Sequence, residues 1–415
     1  MRIAFVTPFI GNAFGLEKAL WTTAEGLVRN GHEVLYITDQ VTANFEVANL
    51  HRVPGLGRIL LQTPPWEVRR VHGQALDILA RARPDVVHLC DLFDQRLVTA
   101  LVRAAYPLVL TAHTVAPSCP ASHRFIRPFG ICDKPSGLSC IQHHRDYGCL
   151  DFLKSDFHRL AAVTQYWLRR GALRENAYVA AISKYVAETL IKDGFNRDRV
   201  RVVPNAALVP KIEPLRDGPP NLLVIAARLV ALKGIDFALR ALAPLKELTW
   251  TLWICGSGQE ECSLKKLCTE LGLSGRVQFL GQTLPEKTYE IIASARALLQ
   301  TNSGPEGFGM SVAEAAAYGV PVIGFNVPAL NEIVENGITG ELVELGNVGV
   351  LTQTIRKLLV DRNYLESART AGPRLVQERF SLERHVRGML RLYEDAMRGK
   401  THRCSSEEYA EVNLA

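Results

Sequence analysis

Residues 304–323 read GPEGFGMSVAEAAAYGVPVI, and the apolar run ALLQT (297–301) stands just before them. A short apolar run, a glycine-broken loop, a small-residue helical stretch and a second apolar run, PVI, follow in turn. That succession is strand, loop, helix, strand, the repeating unit of a parallel α/β sheet. Each local feature has a local explanation. Gly307 and Gly309 permit a tight turn. Ser311 and Glu314 fit the Ser-x-x-Glu capping box of a helix start. Ala313, Ala315, Ala316 and Ala317 let a helix lie close to a sheet. Two glutamates eight positions apart, Glu306 and Glu314, in one such unit ask for more than local chemistry.

The same alternation runs through the chain on both sides. RIAFVTP is followed by the loop FIGNAFG, a helical pattern from Leu16 to about Arg29, and the strand HEVLYIT. PDVVHL, PLVLTAH, AYVAAIS and RVRVVPN are short apolar runs of the kind that buried parallel strands give. The proline-rich ALVPKIEPLRDGPPN reads as a linker. Beyond it, LLVIAAR leads to a helix over 234–246, TWTLWICG to one over 259–271 and VQFLG to one over 286–295. PVIGF leads to a helix over 329–335, and GELVE to the helices that finish the chain. This predicts an α/β fold with two doubly wound domains: residues 1–205, and residues 206–380. An amphipathic helix over about 381–400 follows, and THRCSSEEYAEVNLA, residues 401–415, lacks periodicity and reads as a tail.

A chain of 415 residues is long enough for two cores. Its 47% hydrophobic and 22% charged content is globular, and a net charge of +6 is mild, with no nucleic-acid signature. MRIAFVTPF is too short in its apolar part for a signal peptide. LLVIAARLVALKG is interrupted by Arg228 and Lys233, well short of a membrane span. Nine cysteines without a secretory signal point to reduced thiols and a cytoplasmic address, with a peripheral contact at the inner membrane face left open. The stretch DFLKSDFHRLAAVTQYWLRRGALREN bears on that contact. It mixes Phe152, Phe157, Tyr166 and Trp167 with Lys154, Arg159, Arg169 and Arg170. A helix with a buried aromatic face is the preferred reading, and an interfacial helix is the alternative.

In open α/β sheets ligands bind beyond the carboxyl ends of strands, where helix N-termini present free N–H groups. Gly15, the pair Arg228 and Lys233, the pair Gly256 and Gly258, and the run Glu306 to Gly309 all fall at such positions. Two cations five residues apart suit a diphosphate. A carboxylate beside a phosphate is unfavourable unless it accepts hydrogen bonds from hydroxyls. The combination therefore suggests a nucleotide sugar, with one glutamate for hexose hydroxyls and one for ribose, and backbone N–H groups of Phe308 to Ser311 toward the phosphate.

These residues resemble glycosyltransferase family 4, retaining enzymes of the GT-B fold, over most of the chain. PEGFGMSVAEAAAYGVPVI resembles the family's E-x7-E signature, and AARLVALKGIDFAL its phosphate-binding segment. GSGQEE, VQFLG, GLEKALWTTAEGLVRNGHEV, PDVVH and VLTAH match further positions. The resemblance implies two Rossmann-like domains facing each other across a cleft, the first for the acceptor and the second for the donor, with the last helix crossing back to the first. It implies that Arg228 and Lys233 bind the donor diphosphate, Glu306 the transferred sugar and Glu314 the ribose. Gly307, Phe308 and Gly309 would contact sugar and phosphate, Gly15 would let the first loop approach the phosphate, and Gly258 would belong to the donor site. His113 would lie close to the reacting sugar. The donor would be a UDP- or GDP-sugar and the acceptor a carbohydrate, a lipid-linked sugar or a small molecule. No cofactor or metal would be required, because the cations stabilise the departing diphosphate.

The family's paired glycine in the first loop is Phe14-Gly15 here, its Pro-Asn-Gly is Pro-Asn-Ala with Ala206, and its Pro-Ser before the first glutamate is Asn302-Ser303. No charged group is lost. Alternatives on the same architecture are a sugar-nucleotide epimerase or hydrolase and a non-catalytic partner subunit. A Rossmann oxidoreductase is disfavoured, since no strand precedes a Gly-x-Gly-x-x-Gly run. Cys119, Cys132, Cys140 and Cys149 cluster with His123, His143 and His144, without the short Cys-x2–4-Cys pair of zinc sites. Reduced thiols are preferred to a structural metal or a redox clip, and the segment is expected on the acceptor side as a lid. Lys233→Ala or Glu306→Ala is expected to abolish transfer with little change in melting.

Overall fold

The apolar runs of the first half become β1 (Arg2–Ile10), β2 (Glu33–Val41), β4 (Val86–Cys90), β5 (Leu108–Ala112), β6 (Tyr178–Ala181) and β7 (Val200–Val202), joined at the edge by β3 (Leu50–Arg52). They make one parallel seven-stranded sheet in the order β3-β2-β1-β4-β5-β6-β7. VVHLC and LVLTA are buried along their whole length, which explains why they read as continuous apolar runs rather than alternating ones. The crossovers carry α1 (Gly15–Arg29), α2 (Pro65–Ala82), α3 (Gln95–Arg103), α4 (Cys140–Tyr147), α5 (Asp156–Asn176) and α6 (Lys184–Lys192). Ser155 and Ser183 cap α5 and α6, their hydroxyls accepting from the His158 and Val186 N–H groups.

The second half builds β8 (Leu222–Ala226), β9 (Thr251–Cys255), β10 (Val277–Gly281), β11 (Ala297–Gln300), β12 (Val322–Phe325) and β13 (Gly340–Val343), parallel and ordered β10-β9-β8-β11-β12-β13. Its helices are α7 (Ile235–Leu242), α8 (Glu261–Glu270), α9 (Pro285–Ala293), α10 (Met310–Ala317), α11 (Val348–Val360) and α12 (Ala368–Arg379). Each sheet with its helices is Rossmann-like, as the α/β reading expects.

This computed structural model describes the chain except residues 12–14, 43–45, 58–64, 93–94, 135, 138, 151–152, 154, 208, 216–217 and 413–415, and only the backbone of 16, 65, 95, 165, 168–170 and 400–412. Phe14, Phe152 and Lys154, and the side chains of Arg169 and Arg170, therefore lie outside the described residues. The chain divides into two compact units. The first holds Met1–Ser122, Lys134–Ala206 and Leu382–Ala415, and the second holds His123–Asp133 and Ala207–Ser381.

The closing helix α13 (Leu382–Val412) belongs to the first unit, where Val386, Met389, Leu392, Tyr393 and Ala396 join Ile3, Phe5, Leu20 and Tyr36 in one core. Each buried Val, Leu, Ile, Phe or Met side chain among them contributes roughly 1.5–3 kcal/mol by leaving water.

Three expectations are corrected. The helix expected over 329–335 is a single 3-10 turn, Leu330–Glu332, because Ala329 takes a φ of 71° directly after Pro328 and Gly337 turns the chain at φ 77°. The helix expected to 246 leaves α geometry after Leu242 and tightens into a 3-10 turn that holds Pro244. The expected tail is helical to Val412, with neither proline nor glycine after Gly399 to stop it.

Candidate functional site

In the second sheet the strand order reverses between β8 and β11, and that reversal opens a crevice at the carboxyl ends of the two strands. Arg228 and Lys233 follow β8, and Glu306 follows β11. Sequence order alone separates these groups by more than seventy residues; the sheet makes them neighbours. Lys233 Nζ donates to Glu306 Oε2 and forms an ion pair with it. Asn302 Nδ2 donates to the same oxygen at 2.8 Å, and the Gly307 N–H donates to Oε1 at 3.1 Å.

Glu306 is 19% exposed, and burial works against its charged form. The Lys233 charge and the hydrogen bonds from Lys233, Asn302 and Gly307 outweigh that penalty and hold the carboxyl below the ordinary glutamate value. The result is an ionised carboxylate facing a cation, both largely shielded from water. Asn302, noted in the sequence only as a departure from Pro-Ser, is thus a direct partner of Glu306.

The loops around this pair are held by backbone contacts that need glycine. Leu229 N–H donates to the Ser257 carbonyl at 2.9 Å and Glu260 N–H to the Leu229 carbonyl at 2.9 Å. A Cβ on Gly258 would lie 2.3 Å from the Leu229 carbonyl oxygen. So Gly258 acts first as the close-approach point between the β8 and β9 loops. Arg228, at the surface of that loop, is exposed.

α10 starts on Gly309, whose φ of 96° turns the chain and whose carbonyl accepts from Val312 and Ala313 N–H groups. This corrects the capping-box reading: no side chain caps α10, and Ser311 and Glu314 lie inside the helix. Glu314 is buried and accepts a 3.3 Å hydrogen bond from the Tyr289 hydroxyl. Phe308 is buried edge-on against Phe380, with ring centroids 5.2 Å apart, so it anchors the loop.

In the first unit, the order reverses between β1 and β4. Gly15, exposed, opens α1 after β1. His113 follows β5 and is buried, with Nδ1 3.2 Å from Asp91 Oδ2 beyond β4. The approach is off the hydrogen-bond line, and among the described residues neither atom has a hydrogen-bond partner. Asp91 also sits at φ 48°, a conformation that costs most residues energy and that asparagine and aspartate tolerate best. Sequence reading missed this contact between a carboxylate and a buried imidazole at neighbouring strand ends, because Asp91 carries no motif of its own.

The cysteine segment does not stay together. Cys119, Cys140 and Cys149 belong to the first unit, and Cys132 to the second. Among the described residues no group of three or more His, Cys, Asp or Glu side chains is placed to hold a metal ion. Among the described residues, too, no helix is long and apolar enough to cross a membrane.

Two family models match the chain: Glycosyltransferase Family 4 over residues 15–207 and glycosyl transferases group 1 over residues 211–374. An N-acetyl-alpha-D-glucosaminyl L-malate synthase of Bacillus anthracis is 24% identical over 389 residues, covering 90% of this chain and 91% of that protein. The sucrose-phosphate synthase of Thermosynechococcus elongatus is similar in structure, with TM-score 0.70 and 18% identity over 96% of this chain and 99% of that one. Anabaena HepE, solved in complex with UDP and glucose, gives TM-score 0.66 and 19% identity over 95% of this chain and all of that one. Both structural likenesses concern the fold.

Proposed function

The chain belongs to glycosyltransferase family 4 and has the GT-B fold, and from that premise we propose that it moves a hexose-type sugar from a nucleotide sugar to an acceptor hydroxyl with retention of anomeric configuration. The observation that carries the reading is the Lys233–Glu306 pair at the strand-order reversal of the second sheet. A donor diphosphate competes with Glu306 for the Lys233 ammonium. Once Lys233 turns to phosphate, the carboxylate is released to accept hydrogen bonds from sugar hydroxyls, and Asn302 keeps it in place. Arg228, exposed on the adjoining loop, supplies the second cation. Glu314, already accepting from one hydroxyl, that of Tyr289, suits the ribose diol. Gly307, Phe308 and Gly309 bring backbone toward the donor, and the Gly258 contact holds the loops in register.

In the transfer step the bond between the sugar's anomeric carbon and the phosphate oxygen breaks. The acceptor oxygen bonds to that carbon from the same face, and the acceptor proton passes to the leaving phosphate oxygen. Lys233 and Arg228 stabilise the charge that develops on the diphosphate, worth several kcal/mol in a site that excludes water. In the first unit His113 sits against Asp91. The donor is a UDP- or GDP-sugar. The acceptor is a glycan, a lipid-linked sugar or a small molecule, and the chain works in the cytoplasm. The exposed Phe157, Leu160 and Trp167 on α5 suit a peripheral membrane contact.

A panel of nucleotide sugars in a thermal-melt assay tests this. One nucleotide class should raise the melting point, by the equivalent of about 2.7 kcal/mol at a hundredfold excess over its Kd, and Lys233→Met should remove the shift. Wild-type protein indifferent to every nucleotide sugar would overturn the reading.

A further inference from the structure

The polypeptide leaves the first unit after Ser122, lays residues 123–133 onto the second, and returns at Lys134. Nothing in the composition of HRFIRPFGICD announces this. The eleven residues form a small hairpin of their own. Phe125 and Ile131 pair as an antiparallel bridge, Cys132 N–H donates to the Arg124 carbonyl at 2.7 Å, and Ile126 N–H donates to the Gly130 carbonyl at 3.2 Å.

What the hairpin touches is the loop pair that carries the proposed donor site. Gly130 N–H donates at 2.8 Å to the carbonyl of Ser303, three residues before Glu306. The Phe125 ring is buried against Gly304, where a Cβ would lie 2.6 Å from the ring and 2.8 Å from Leu232, the residue before Lys233. Ser303 in turn ties the two loops together, its N–H donating to the Leu232 carbonyl at 3.0 Å and its hydroxyl to the Ala231 carbonyl at 2.8 Å. Phe129 extends the support with its ring edge-on to Phe237 at 6.0 Å, and Phe237 is edge-on to Phe325 of β12 at 5.5 Å. Beside Phe125 lies a cavity of about 410 Å³, walled also by Pro128, Ala231, Gly234 and Leu264. The loops therefore have open space behind them, and the ring fills part of what would otherwise let them shift.

We propose that residues 123–133 are a positioning element of the donor site, with Phe125 as its principal positioning residue: the hairpin clamps the Leu232–Lys233 and Ser303–Glu306 loops so that the ammonium and the carboxylate are held in one geometry. The proposal rests on the donor reading above. It reassigns the segment from the acceptor-side lid that the sequence suggested. Phe125 touches neither reacting group. It acts through Gly304 and Leu232, and the backbone of Gly130 acts through Ser303.

The test uses the full chain. Hydrogen exchange measured by mass spectrometry should show amides 232–234 and 303–309 exchanging about tenfold faster in Phe125→Ala, with β8 and β11 unchanged. UDP and GDP serve as binding probes, followed by transfer kinetics with the donor that the panel identifies. Nucleotide affinity or kcat should fall by roughly tenfold to a hundredfold, as a misplacement of about 1 Å would cause. Phe125→Leu should restore both readings, and a merely structural role would instead loosen the strands together with the loops.

Gly304→Ala supplies the second route should Phe125→Ala fail to fold. The added methyl meets the ring, so the single variant should lose nucleotide affinity, and Phe125→Leu in the same chain should recover part of it. Unchanged exchange at 303–309, or faster exchange with unchanged affinity and kcat, overturns the proposal and leaves the donor reading intact. If the wild type binds neither UDP nor GDP, the donor reading fails instead, and the exchange measurement still decides whether the hairpin orders these loops.

Discussion

Lys233 and Glu306 are each less than one-fifth exposed, so removing either leaves its partner with a poorly solvated charge. Lys233→Met should therefore cost about 1–3 kcal/mol in a urea melt, reduced from the fully buried range because water still reaches the pair. The charge-free Lys233→Met/Glu306→Gln chain should regain most of that loss while remaining inactive. This departs from the sequence expectation of a nearly unchanged melt, since the direct pairing of the two groups was not visible there. Because the Glu306 carboxyl is held below its ordinary value near 4.5, its contribution is complete above that value and is lost as pH falls through the lowered one. Asp91 invites a second substitution. Asparagine tolerates the φ of 48° as well as aspartate does, so Asp91→Asn changes the charge beside His113 without new backbone strain. Turnover should fall by roughly tenfold to a hundredfold with KM little changed, as steady-state kinetics will show.

At the scale of elements, the arrangement of the candidate site depends on loops that have almost no side-chain bulk to spare. The β8 and β9 loops meet backbone to backbone at Gly258, with the Leu229 nitrogen, carbon and oxygen all within 2.8 Å of where a Cβ would stand. No flexible side chain is available to yield. Gly258→Ala should cost about 1–3 kcal/mol by overpacking, read from urea denaturation, and should abolish the nucleotide-induced melting shift because the Arg228 loop is displaced. A variant that keeps both stability and the shift would show that the loops part without consequence. α10 makes a similar point about starts. A left-handed glycine, rather than a side-chain cap, begins it, and this leaves Glu314 free of capping duty.

At the scale of the whole chain, the closing helix brings two histidines into a fully buried setting in the first unit. His385 faces the Pro204 carbonyl with Nδ1 at 2.7 Å, which requires Nδ1–H and leaves Nε2 to face the Thr23 hydroxyl at 2.8 Å. His88 lies between the Tyr393 hydroxyl at 2.8 Å and the Thr111 hydroxyl at 2.6 Å. Burial pushes His385 down to about 4 and His88 to about 3. Both are neutral when folded and take protons when unfolded between those values and the ordinary 6.5. Stability should be complete above pH 6.5 and fall below it, by about 1.4 kcal/mol per pH unit per histidine. Urea melts from pH 5 to 7.5 check this, and His385→Gln should flatten the slope by about half.

The strands and the two α/β halves were legible in the sequence, because burial on both faces of a parallel strand imposes apolar runs. Local conformations were less legible: Ala329 redirects the chain through a φ of 71° that its residue type does not announce. Strand order was not legible at all, since β8 and β11 become neighbours only once β9 and β10 are laid to one side. That order brings Lys233 to Glu306, the pairing of β4 with β5 sets Asp91 against His113, and the hairpin of residues 123–133 brings Phe125 to Gly304. Such contacts span many residues, and long-range pairing is decided by the packing of whole layers, which no local run of residues encodes.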